Sequence, residues 1–162
     1  MSPLEVIAAK RAHMARLTNE SGAEGEQQAT FSMDHWVPRP KGMGLRVLLE
    51  ELRSTDIFIK ASSFDALSLP YPVDFEDRDQ VKGALPQIVF IEIKSASQAR
   101  VKPDFTGFFF ALTESEISAA DQLGKRHRVA LYNKITEEIS ITSISEILVR
   151  AKSTNWQVSV QL

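Results

Sequence analysis

The sequence predicts a mixed α/β domain, a central mixed sheet flanked by helices. Three observations lead there. Residues 88–95, Ile-Val-Phe-Ile-Glu-Ile-Lys-Ser, form an apolar run of the length and character of a buried strand. Ser/Thr-x-x-Glu sequences, among them Thr113 to Glu116 and Ser143 to Glu146, have the form of capping boxes that open helices. Strand-like and helix-period segments follow one another through 162 residues without an internal repeat, a length that suits one domain with its own core.

The elements follow in order. Residues 2–17 read as a helix, with Ser2 as cap, Pro3 at the first helical position and Glu5 completing a capping box. Residues 18–44 are polar and rich in Gly, Pro, Glu and Gln, so 1–44 reads as a helix plus arm and 45–162 as the folded domain. Leu45, Leu48, Leu49 and Leu52 repeat at helical spacing. Residues 56–60 and 64–69 read as strands, and 70–86, with Pro70, Pro72 and Pro86, as a surface loop. After the strand at 88–95 and a basic irregular stretch at 98–103 comes the apolar run 108–112. The helix opened by Thr113 continues through Ile117, Ala120 and Leu123, and Gly124 suits its stop. Residues 129–132 and 139–141 read as a hairpin, Ser143 caps another helix, and Trp156, Val158, Val160 and Leu162 alternate as a closing strand.

Composition excludes several chemistries. No cysteine is present, so disulfides, thiolate metal sites and cysteine nucleophiles are ruled out. His13, His35 and His127 lack the paired spacing that holds zinc. The opening residues do not form a signal peptide and no apolar run is long enough to span a bilayer, so the expectation is a cytoplasmic protein without membrane attachment. The formal net charge of −2 makes no case for nucleic-acid binding through bulk charge.

The informative residues are Glu92 and Lys94. On a strand, Val89, Ile91 and Ile93 share one face, while Phe90, Glu92 and Lys94 share the other. Charges on an apolar strand are costly unless they are paired, bound to a metal or placed at the mouth of a cleft. The plain alternative is a strand whose polar face meets solvent, with the two charges as a weak surface pair.

Glu92-Ile93-Lys94 at the end of such a strand resembles the motif of PD-(D/E)xK nucleases. The likeness extends through Phe108-Phe109-Phe110-Ala111-Leu112, Thr113 to Glu116, Ala119-Ala120, Leu123-Gly124 and Val129-Ala130-Leu131-Tyr132. That series, over about residues 85–133, is most similar to the family named for the C-terminal domain of the protein NO VEIN, whose members carry a phenylalanine-rich strand after Glu-x-Lys. The resemblance implies a restriction-endonuclease-like core and a Mg²⁺- or Mn²⁺-dependent nuclease. An earlier acidic residue, Glu92 and the Ile93 carbonyl would be the ligands, and Lys94 would sit beside the attacking water with its pKa lowered by burial and the ion's field. Asp65 is the favoured earlier acid, Asp74 its rival, and Gln87 stands where some relatives have an acidic residue. Glu50 and Glu51 precede the site on a helix and read more simply as a solvated face.

Two basic patches, Arg100 with Lys102 and Lys125-Arg126 with Arg128, offer contacts to a nucleic-acid backbone, against the plainer reading of solvated turns. Phe108 to Phe110 invites base stacking, but core packing is the stronger reading. Asp34-His35-Trp36-Val37-Pro38 resembles the opening of an HNH motif. It lacks the downstream partners and is read as a loop whose tryptophan docks on the domain. The functional expectation is a DNA nuclease in restriction, phage defence or repair, acting as a homodimer or within a larger complex. The alternative is an inactive nuclease-fold module that binds nucleic acid or a protein.

Overall fold

The computed structural model describes residues 33, 35–96, 102, 104–153 and 160–162. Five strands form one mixed sheet: β1 (Trp36–Pro38), β2 (Ala66–Ser68), β3 (Val89–Ala96), β4 (His127–Asn133) and β5 (Glu138–Thr142). They stand in the order β1-β2-β3-β4-β5, all neighbours antiparallel except the central parallel pair β3/β4. The helices are α1 (Gly42–Arg53), α2 (Arg78–Ala84), α3 (Glu114–Leu123) and α4 (Ile144–Arg150). None of them is long and apolar enough to cross a membrane.

Alternation along β3 explains the layering. Phe90 joins Leu67 of β2 and the apolar faces of α1, α2 and α3 in one core, while Val129 and Leu131 of β4 pack with Ile144 of α4 and with Phe105. Residues directly paired across a ladder share a face, so Glu92 and Lys94, opposite Val129 and Leu131, point to this helix-covered side. Ile91, Ile93, Ala130 and Tyr132 are buried on the other. In α1 the buried positions are Gly44, Val47, Leu48, Glu51 and Leu52, an i, i+3, i+4 stripe centred one position from the leucine pattern. Thr113 and Ser143 both close full capping boxes, and Gly124 ends α3 with a φ of 57°, a region that glycine enters readily.

Several elements differ from expectation. Residues 57–60 form no strand, because Gln122 of α3 satisfies Phe58 instead. Its Oε1 accepts from the Phe58 N–H at 2.7 Å and its Nε2 donates to the Phe58 carbonyl at 2.8 Å, as a neighbouring strand would. The loop expected at 70–86 contains α2, capped by Asp77, and a 3₁₀ turn at Leu85–Gln87. The strand at 64–69 shortens to Ala66–Ser68. Residues 108–112 carry no ladder; Phe108 and Phe110 pack beside Phe105, and Phe109 is exposed.

The sheet begins at Trp36, inside the stretch read as an arm, and Trp36 is buried in a strand rather than docked from a loop. The expected helix at 2–17 lies outside the described residues. So do residues 154–159 of the expected closing strand, and residues 160–162 are not in a strand.

Candidate active site

Asp65 comes to the site through register. The β2/β3 ladder ends at the Ala66–Ile91 pair, and Asp65, the residue just before it, comes into electrostatic contact with Glu92. The Asp65 main chain is held on both sides: its N–H donates to the Ile91 carbonyl at 2.7 Å, and its carbonyl accepts from the Arg39 N–H at 2.9 Å. Asp65 Oδ2 accepts from the Ile93 N–H at 2.8 Å. Arg39 Nη1 donates to the carbonyls of Ala61 at 2.6 Å and Phe64 at 2.8 Å, which fixes the turn that leads into Asp65.

Lys94 bridges two acids from different elements. Its Nζ lies 3.0 Å from Glu92 Oε1 on its own strand and 2.8 Å from Glu116 Oε1 on α3. Glu116 Oε2 accepts from the Thr113 N–H at 2.9 Å, so the capping box that starts α3 also aims this carboxylate. Glu92 is only 5% exposed, and its second oxygen, Oε2, is buried with no hydrogen-bond partner. That oxygen accepts no donor, so it is open to a proton or to a cation.

In the metal-free protein the electrostatics favour a proton on Glu92, which can then bond to Asp65 or Glu116. Burial, reinforced by the charge of Asp65, pushes Glu92 up to about 9 despite Lys94. Burial also raises Asp65, against the opposing Ile93 N–H and Lys94. For Lys94 burial acts downward, but Glu92 and Glu116 outweigh it and its pKa is raised. Burial lowers it as expected, but without a metal ion the two carboxylates prevail, one of them on α3 and not revealed by the strand motif. Burial likewise works against ionised Glu116, yet the Lys94 and Thr113 donors prevail and hold it low. His127, buried with Nε2 3.0 Å from the Ser63 carbonyl, is depressed by burial and adds no positive charge at neutral pH. Three carboxyls thus share one ammonium.

The donor set fits a small hard cation. Asp65 and Glu92 supply two carboxylates, one with an unsatisfied oxygen, and Mg²⁺ commonly takes one or two protein carboxylates and keeps several waters. Among the described residues no group of three or more His, Cys, Asp or Glu is arranged as a metal cage.

Other predicted residues stand elsewhere. Asp74 is exposed in the loop before α2, its Oδ1 accepting from the Glu76 N–H. Glu50 and Glu51 pair with Arg78 at 2.5 and 2.8 Å. Arg126 is drawn into structure by donating to the Leu85 carbonyl at 2.8 Å, and Lys125 sits with it at the amino-terminal end of β4, whereas Lys94 lies toward the carboxyl end of β3. Arg128 is paired with Ile91, on the opposite face from Glu92. The patch from 125 to 128 is thus not gathered at the site, contrary to expectation. Lys102 is exposed in the turn after β3, and Arg100 lies outside the described residues. Sequence reasoning missed Arg39 and Glu116. Glu116 was legible as a cap, and a capping glutamate turns back toward the helix start, which was the available signal.

No family model, curated protein or solved structure matches this chain.

Proposed function

We propose that the protein is a metal-dependent nuclease that hydrolyses DNA phosphodiester bonds, built on a restriction-endonuclease-like core. One observation carries the reading: Asp65 and Glu92 lie in mutual contact, Lys94 is 3.0 Å from Glu92, and one buried Glu92 oxygen accepts no donor. The likeness of residues 85–133 to the NO VEIN C-terminal-domain family supports it.

Asp65, Glu92 and the Ile93 carbonyl would hold Mg²⁺ or Mn²⁺. When bound, the ion supplies charge neutralisation on the phosphate and acidifies the attacking water. Lys94 donates hydrogen bonds to that water and to a phosphate oxygen from a compact ammonium. In the metal-free protein Glu92 and Glu116 together favour the charged form of Lys94, so it offers a compact ammonium at the site. Asp65 orients through the Ile93 N–H, and Arg39 keeps the approach to it rigid. Exposed Lys102 meets the backbone of the nucleic acid through sequence-independent attraction. One such site cuts one strand, so a double-strand break takes two copies or two events.

Plasmid and single-stranded DNA incubated with Mg²⁺ or Mn²⁺ test the reading. Metal-dependent cleavage by the wild type that is lost in Lys94→Ala is the expected result. Cleavage that survives in Lys94→Ala removes the mechanism, and DNA binding without any cleavage favours an inactive binding module.

A further inference from the structure

The position of Glu116 carries a consequence for how Lys94 is kept in place. Lys94 is held by two carboxylates, but under the proposed function Glu92 is also a cation ligand. An ammonium 3.0 Å from Glu92 Oε1 would repel a divalent ion on that same carboxylate, so Lys94 must give up part of its hold there. A lysine stem has four rotatable carbons and drifts without a partner. Glu116 is the partner that remains. It is 3% exposed, comes from a different element, is aimed by the Thr113 N–H, and places Oε1 2.8 Å from Lys94 Nζ.

We propose that Glu116 is a positioning residue that retains Lys94 at the site when the cation occupies Glu92. The inference rests on the metal-site reading above and deepens it. Glu116 acts through Lys94 rather than on the ion. Taking Glu116 away leaves Lys94 wholly on Glu92, where it competes with the cation.

Calorimetric titration of the full chain with Mn²⁺ tests this without any cleavage. Glu116→Gln keeps an oxygen for the capping bond, so α3 stays intact. It should weaken Mn²⁺ binding about 10-fold, the size typical of an outer-shell partner. Lys94→Met should tighten Mn²⁺ binding, and in that background Glu116→Gln should change it by less than about twofold, because the competitor is gone. Thr113→Ala, which removes a cap bond but no charge, should bind Mn²⁺ like the wild type. In single-turnover DNA cleavage, Glu116→Gln should lower the rate about 100-fold with little change in substrate affinity.

Equal Mn²⁺ affinity in wild type and Glu116→Gln overturns the inference. So does an equal loss with and without Lys94, or a loss reproduced by Thr113→Ala. A wild type that binds no Mn²⁺ overturns the metal-site reading itself and this inference with it.

Discussion

Two places in this molecule gather two glutamates around one basic side chain, and they behave oppositely. Nearer the surface, Arg78, half exposed, meets exposed Glu50 and largely buried Glu51. Hydrogen bonding to Arg78 lowers Glu50, as in an ordinary solvated ion pair. Inside, Lys94 meets Glu92 and Glu116 with only 14% of its side chain exposed, yet Glu92 is pushed up to about 9 and keeps an orphaned oxygen. The difference comes from burial and from a third acid, Asp65, at the end of the β2/β3 ladder. Water absorbs surplus charge at the first cluster. At the second, burial and Asp65 favour the protonated form of Glu92, so a proton, or under the proposed function a cation, offsets the surplus charge.

The largest expected contrast is in cleavage. Lys94→Ala or Glu92→Gln should lower the metal-dependent rate by about 10³-fold, while Arg78→Ala should leave it within about twofold. A fall of similar size in Arg78→Ala would break the comparison.

Stability against pH is the next contrast. Glu92 has a folded pKa near 9 against an ordinary 4.5, so the folded state binds more protons between those values. Its contribution to stability is full below about pH 4.5 and is lost as pH rises toward 9. Urea unfolding of the metal-free protein at several pH values should show that decline, and Glu92→Gln should flatten it. Glu50→Gln should not, since the shift there is downward.

Arg39→Ala should destabilise the fold by about 1–3 kcal/mol, because it strips the donor from two partly buried carbonyls ahead of Asp65. Arg78→Ala, by contrast, should cost no more than about 1 kcal/mol in the same urea assay. The smallest effect concerns DNA affinity: Lys102→Ala should reduce the slope of log affinity against log salt by about 1, and Lys125→Ala, at the other end of the strands, should leave it unchanged.

What could be read from sequence follows the range of the interactions. Period-two alternation is local, so β3 and the shared face of Glu92 and Lys94 were legible. Both capping boxes were legible for the same reason. Asp65 could be favoured over Asp74 because it adjoins an apolar run, whereas its alignment with Glu92 depends on strand register. Glu116 as a partner of Lys94 was not legible, because it lies 22 residues away and reaches Lys94 only from α3. Residues 57–60 were misread for a similar reason, since Gln122 takes the place of a strand partner. Arg39 was hidden in a segment whose composition suggests an arm, though the segment supplies an edge strand.

The most direct measurement is an anomalous-scattering crystal structure with Mn²⁺. The account predicts one ion in contact with Asp65, Glu92 and the Ile93 carbonyl, with Lys94 drawn away from Glu92 and still held by Glu116. An ion-free pocket at saturating Mn²⁺, or an ion bound at Asp74 instead, would contradict it.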